Sequence, residues 1–92
     1  MERSIVIPAD VVYRVLDEES VLLNLRNGTY FGLDPVGTRA WQLMVEHGSL
    51  ARVLELLLEE YEVDRDVLER DLLSLGRRLC ESGLAEVVAP EK

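Results

Sequence analysis

The hydrophobic pattern of this chain changes period at Leu33-Asp34-Pro35. Before this point, short runs rich in apolar and β-branched residues are typical of strands. After it, apolar residues recur every three or four positions, as in helices that bury one face. Asp34 suits a helix N-cap, and Pro35 suits the first helical position. The sequence therefore predicts strands followed by helices in one α+β domain.

Three strands are predicted in the first third of the chain. They cover residues 11–17, 20–25 and 29–33. An acidic turn at 17–20 separates the first two strands. Asn27-Gly28 is expected to form a tight hairpin turn after the second, because both residues tolerate positive φ. Strands joined by short turns form an antiparallel meander whose first and third strands are edges.

Three helices and a short terminal strand are predicted in the remainder. The helices cover residues 35–47, 50–61 and 65–82, and the strand covers 84–88. Their boundaries follow from the caps Ser49 and Asp64 and the stop residues Gly48 and Gly83. This order predicts a winged-helix-like α+β domain, a three-stranded antiparallel meander followed by three helices and a short terminal strand. Residues 1–92 are expected to form a single domain with a structured core of about 11–88.

Composition argues against nucleic acid and membranes as partners. The formal net charge is −8, whereas binding to the phosphate backbone of a nucleic acid needs an excess of Lys and Arg. In a winged-helix regulator, the 65–82 helix would read DNA, yet its four Arg residues are balanced by four acidic ones (Arg65, Arg70, Arg77 and Arg78 against Asp66, Glu69, Asp71 and Glu81). No apolar run approaches the roughly 20 residues that span a bilayer. A lone Cys80 and the lack of a signal-peptide pattern favour a cytoplasmic protein.

Catalytic and metal chemistry are not predicted. Cys80 and His47 are the only thiol and imidazole. One Cys and one His cannot assemble a structural zinc site. A free Cys usually acts as a small apolar residue that packs in the protein interior. The glycines at 28, 32 and 37 fit neither a dinucleotide fingerprint nor a P-loop. We therefore expect no enzyme activity, no cofactor and no metal.

The third strand is the candidate binding surface. Alternation places Thr29, Phe31 and Leu33 on one face and Tyr30 and Gly32 on the other, and the sequence leaves open which face covers the helices. Exposed sheet edges are usually protected by Lys, Pro or a bulge, and this strand has none of them. Either the third helix or the terminal strand covers the edge, or a partner peptide pairs with it as an added strand.

The chain resembles the PqqD-like family over about residues 11–88. The resemblance rests on the order and spacing of a set of positions: Gly28, Tyr30-Phe31, Leu33-Asp34, Gly37, Trp41, Tyr61, Asp71, Leu75, Leu79 and Gly83-Leu84. Members of this family recognise ribosomally made precursor peptides. The resemblance implies a non-catalytic domain that holds the leader region of a precursor as an antiparallel strand between the third strand and the third helix.

Carried onto this sequence, the resemblance implies specific leader-binding positions. On the third strand they are Thr29, Tyr30, Phe31 and Leu33, and on the third helix they are Val67, Leu68, Asp71, Leu72 and Leu75. Among these, the Asp71 carboxylate is expected to orient a polar group of the leader.

The resemblance also implies which enzymes the protein serves. A free-standing chain of this size resembles the lasso-peptide B1-type leader-binding proteins. These deliver the precursor to a separate cysteine protease, the B2 protein, before a cyclase closes the ring. The alternative is a PqqD-type chaperone that presents its peptide to a radical SAM enzyme. A monomer is expected, although an edge strand that pairs with a second copy is a further alternative.

Overall fold

The computed structural model describes residues 4–88. Strands and helices follow in the order β1 (Ser4–Val6), β2 (Val11–Leu16), β3 (Glu19–Asn24), β4 (Tyr30–Leu33), α1 (Pro35–His47), α2 (Leu50–Glu60), α3 (Arg65–Glu81) and β5 (Glu86–Val88). The predicted α+β fold class, with its meander, three helices and terminal strand, is confirmed. β1 is an additional strand that the sequence pattern did not indicate.

The strands form two separate sheets. β2, β3 and β4 are neighbours in that order and are all antiparallel, with Tyr13 opposite Leu22 and Leu22 opposite Phe31. β5 pairs with β1 in a two-stranded antiparallel sheet, with Ile5 opposite Val87. The terminal strand therefore joins the start of the described chain and does not extend the meander.

The two hairpin turns differ from one another. Two residues, Asp17 and Glu18, join β2 to β3, and Asp17 adopts a positive φ of 59°. Five residues join β3 to β4, so the predicted two-residue turn at Asn27-Gly28 is wrong. Only Gly28 has a positive φ there, and its N–H donates to the carbonyl of Asn24, inside the pair that the Asn24 N–H closes by donating to the Thr29 carbonyl. The Asn24 side chain favours the wider turn because its Oδ1 accepts from the N–H groups of Arg26 and Asn27.

Side-chain caps begin the helices where the sequence indicates. Asp34 Oδ1 accepts from the Gly37 N–H at 2.7 Å, Ser49 Oγ from Arg52 at 3.3 Å, and Asp64 Oδ1 from Asp66 at 2.8 Å. Gly37 is closely packed at the junction of β4 and α1, since a Cβ there would lie 3.1 Å from Asp34 Oδ1 and 3.2 Å from Leu33 Cδ2, and these side chains would have to shift to admit it. These contacts allow the strand to turn directly into the helix.

The core lies between the helices and the inner face of the meander. Its largest fully buried side chains are Trp41, Leu22, Met44, Leu50, Leu54, Leu57, Leu79, Leu84 and Val53. Tyr13 of β2 packs edge-on against Trp41, with ring centroids 5.5 Å apart. A buried hydrogen bond of 2.8 Å between Ser20 Oγ and Thr38 Oγ1 joins β3 to α1. The sheet is thus fixed to α1 by both apolar and polar contacts.

An ion pair joins α1 to α2 at the surface. The Arg39 guanidinium donates from Nε and Nη2 to both carboxylate oxygens of Glu60, at 2.8 to 3.1 Å. These hydrogen bonds lower the pKa of Glu60 from its ordinary value and raise that of Arg39. The two shifts agree in sign, as expected for a pair that stabilises both charged forms.

Candidate functional site

The edge of β4 has no strand partner within residues 4–88, because β3 lies on one side of it and β5 pairs elsewhere. The Asn24 N–H donates to the Thr29 carbonyl across the β3–β4 ladder. In an antiparallel pair, the backbone groups of successive residues point alternately toward and away from the neighbouring strand. Phe31 and Leu33 therefore pair with β3, and the N–H and C=O of Tyr30 and Gly32 point away from it. The terminal strand does not cover this edge.

A groove of about 850 Å³ lies between β4 and α3. β4 spans about 13 Å at the usual strand rise. The segment from Val67 to Arg78 spans about 16 Å along the helix. The residues that line the groove are Tyr30, Phe31, Gly32, Leu33, Asp34, Val36, Gly37, Ala40, Leu57, Val63, Val67, Leu68, Asp71, Leu72, Ser74, Leu75 and Arg78. An extended peptide of about five residues matches these dimensions.

The floor of the groove is apolar and its rim is mixed. Leu33, Leu68, Leu72 and Leu75 are all less than 9% exposed and belong to the core, as do Ala40 and Leu57. The exposed apolar residues of the rim are Tyr30, Val36, Val63 and Val67. Phe31 is half-buried and packs against the core. Side chains of a ligand would therefore meet an apolar floor already held in place by the fold.

The structure brings together most of the residues expected at the site. Eight of the nine line the groove (Tyr30, Phe31, Leu33, Val67, Leu68, Asp71, Leu72 and Leu75). Thr29 does not line it: its N–H donates to Asn27 Oδ1 at 2.9 Å and its carbonyl accepts from Asn24. The structure also settles the orientation of β4. Leu33 and Phe31 point toward the helices, whereas Tyr30, 73% exposed, projects from the opposite face of the strand and contributes to the rim of the groove.

Sequence reasoning missed several groove residues. Arg78 lies three residues after Leu75 and seven after Asp71, so helical spacing alone places it on the same face of α3. Val36 and Val63 are contributed by the first turn of α1 and the loop before α3. No local pattern marks these two valines, because their place in the groove depends on how α1 and α3 pack.

The chemistry of the described residues is that of a binding surface. Asp34, Asp71 and Arg78 are the charged residues that line the groove. Residues 4–88 hold no cluster of three or more His, Cys, Asp or Glu side chains suited to a metal ion. Cys80 is half-buried and His47 lies at the end of α1, neither of them in the groove. Within the same residues, no helix has the length and hydrophobicity needed to cross a bilayer.

Two solved structures are similar to this chain in sequence and fold. The structure of TbiB1 in complex with the TbiA(beta) leader peptide is 42% identical and has a TM-score of 0.85, with 92% of this chain and 99% of that chain covered. A lasso peptide synthetase B1 complexed with the leader peptide is 31% identical with a TM-score of 0.79, covering 90% of this chain and 98% of that one. A search of curated proteins finds no match. Residues 19–85, more than two thirds of the chain, match the family described as coenzyme PQQ synthesis protein D (PqqD). The chain therefore belongs to the PqqD family.

Proposed function

We propose that this protein binds the leader region of a ribosomally synthesised precursor peptide in lasso-peptide biosynthesis, as a fourth strand on β4. The observation that carries the proposal is the unpaired edge of β4, which forms one wall of an apolar groove closed on the other side by α3. Backbone groups on such an edge are ready to pair with an extended peptide. The two solved relatives, whose structures contain leader peptides, support leader binding by this chain.

Energetics indicate what kind of peptide the groove accepts. Five paired residues form about five hydrogen bonds, each with a net value of ~0.5–1.5 kcal/mol. Ordering those residues costs ~1–2 kcal/mol each, so backbone pairing alone contributes little affinity. Apolar side chains that enter the groove contribute ~1.5–3 kcal/mol each. The leader should therefore carry two or three spaced apolar anchors that contact the floor formed by Leu33, Leu68, Leu72 and Leu75.

The domain acts in this proposal without catalysing a reaction. Residues 1–92 form a single monomeric, cytoplasmic recognition unit that binds the leader and delivers the precursor to a separate B2-type cysteine protease, and then to a cyclase. The groove offers an apolar floor and three charged side chains, with neither Cys80 nor His47 among its lining residues. This set of residues favours binding over bond cleavage.

A second candidate has the same binding step and a different recipient. The match to the PqqD family favours a chaperone that presents its peptide to a radical SAM enzyme. The two candidates are separated by adding the leader-bound protein to a B2-type protease or to a radical SAM enzyme and measuring which enzyme binds. The B1 relatives at 42% and 31% identity favour the protease.

Fluorescence anisotropy tests the leader-binding step. A fluorescein-labelled TbiA(beta) leader peptide is titrated with this protein, and a scrambled peptide of equal composition is the control. We expect a saturable 1:1 complex with the leader alone. Absence of saturation below about 100 μM, which corresponds to only ~5.5 kcal/mol, would overturn the proposal. Light scattering of the unliganded protein checks that β4 does not pair with a second copy.

A further inference from the structure

Arg78 combines three features that no other groove residue shares. Of the described residues that line the groove, Arg78 alone is basic, and the chain as a whole has a net charge of −8. Its guanidinium lies over the Phe31 ring, 5.5 Å from the ring centroid. Among residues 4–88 it takes part in none of the salt bridges, which involve Arg26, Arg39, His47 and Arg52. An exposed cation is thus held over an apolar floor without an acidic partner from the described chain.

The contact with Phe31 restricts where the guanidinium points. Stacking on an aromatic face is favourable for Arg and leaves its N–H groups free at the edge of the guanidinium plane. Those donors match the two oxygens of a carboxylate in a bidentate arrangement. Asp71, about 10 Å away along the axis of α3, gives the opposite charge on the same face. The α3 wall of the groove therefore has an acidic position followed by a basic one.

The fold determines which part of a bound leader Arg78 meets. The Asn24 amide donates to the carbonyl of Gly83, so the C-terminal end of α3 lies beside the turn that begins β4. A leader antiparallel to β4 passes Leu33 first and Phe31 and Tyr30 afterwards. Arg78 lies over Phe31 and hence beside the later part of the leader.

We infer that Arg78 is a specificity-determining residue that binds a leader carboxylate located on the C-terminal side of the apolar anchors. This inference rests on the proposed function and adds to it the charge and position of one leader residue. Asp71 faces the part of the leader that precedes this carboxylate. Asp71 and Arg78 together therefore distinguish a leader bound antiparallel to β4 from one bound in the reverse direction. Charge complementarity of this kind contributes more to specificity than to total affinity.

The first experiment compares neighbouring arginines. Arg77 and Arg78 are both exposed on α3, but only Arg78 lines the groove. In titrations with the labelled TbiA(beta) leader, Arg78→Gln should weaken binding about 5- to 20-fold, between the effects typical of exposed ion pairs and of hydrogen bonds to charged groups. Arg77→Gln should change it less than about twofold. Equal binding by wild type and Arg78→Gln would overturn the inference.

The second experiment locates the carboxylate. Each position of the TbiA(beta) leader is replaced in turn by Glu, by Gln and by Lys, and the affinities for the Glu and Lys peptides are each measured relative to the Gln peptide. Wild type should prefer Glu at one position after the apolar anchors, Arg78→Gln should lose that preference, and Arg78→Glu should reverse it in favour of Lys. A weaker Arg78→Gln variant with no position-specific ratio would mean that Arg78 acts only by packing on Phe31, which contradicts the inference. Failure of wild type to bind any leader would overturn the proposed function itself.

Discussion

The side-chain amide of Asn24 donates a hydrogen bond of 2.6 Å to the carbonyl oxygen of Gly83. This contact joins the end of β3 to the second residue after α3, and so links the two walls of the groove at one end. A Cβ on Gly83 would lie 3.1 Å from the same Asn24 nitrogen, and its φ of 73° favours glycine. The close approach of the two segments therefore depends on both residues.

Replacing Asn24 should destabilise the fold. Its side chain is 6% exposed and makes three hydrogen bonds, to Gly83 O, Arg26 N and Asn27 N. Asn24→Ala should lower the free energy of unfolding by about 2–3 kcal/mol. Urea denaturation followed by the fluorescence of buried Trp41 measures it. Asn27→Ala, which removes a single exposed bond to Thr29, should cost less than about 1 kcal/mol. Equal effects of the two would contradict the role given to Asn24.

Gly32 provides the clearest test of strand pairing. Its N–H points away from β3, and an added Cβ would meet no atom within 4 Å. Gly32→Pro removes the donor and should weaken leader binding about 2- to 10-fold, whereas Gly32→Ala keeps the donor and serves as the control. Thr29→Pro is unsuitable, since the Thr29 N–H is already bonded to Asn27. A folded Gly32→Pro variant with wild-type affinity would argue against an added strand at this position.

Val67 tests the apolar groove without disturbing the core. It is 50% exposed on the groove side of α3, while Leu73, 37% exposed on the same helix, lies outside the groove. Val67→Asp places a charge against the apolar anchors of the leader and should weaken binding at least about tenfold. Leu73→Asp should leave affinity unchanged. Circular dichroism of both variants verifies the fold, and a comparable loss for Leu73→Asp would point away from the groove.

The Arg39–Glu60 ion pair should stabilise the protein in a pH-dependent way. Because the pKa of Glu60 is lowered on folding, its contribution is present above the ordinary carboxyl pKa and is lost as pH falls through the lowered value. Both side chains are more than a third exposed, so the contribution is about 0.5 kcal/mol. Glu60→Gln should lower Tm by about 2–4 °C near neutral pH, and this difference should shrink as the pH falls below the ordinary carboxyl pKa. Glu59→Gln is the control, and a Tm difference unchanged by pH would refute this linkage.

Local signals were sufficient to predict the helices and their ends. The caps at Asp34, Ser49 and Asp64 and the glycine stops at Gly48 and Gly83 act over three or four residues, so the sequence shows them directly. The prediction of a two-residue turn between β3 and β4 was wrong because Asn24 lies outside that turn. Its side-chain Oδ1 accepts hydrogen bonds from the backbone N–H groups of Arg26 and Asn27. The residue types within a turn do not determine its length when a side chain outside the turn accepts hydrogen bonds from the turn backbone.

Long-range relationships could not be read from the sequence. β1 is three residues long and pairs with a strand about 80 residues later, so no local periodicity marks it. Which side of β4 faces the helices was also undetermined, since both Tyr30 and Phe31 are aromatic and either would fit a core. The register with β3, in which buried Leu22 lies opposite Phe31, decides the question. The resemblance to a known family supplied the groove residues of α3 that periodicity alone could not select.

The opposite orientations of Phe31 and Tyr30 have a consequence for how precursor peptides evolve. A strand added to β4 would inherit the same alternation, with every second side chain in the groove and the others on the outer face beside Tyr30. Substitutions at the leader positions whose side chains enter the groove would alter affinity for this protein. Those at the alternate positions would be free to diverge, or to be selected by whichever enzyme approaches the outer face. Leaders of related precursors should then vary with a period of two residues.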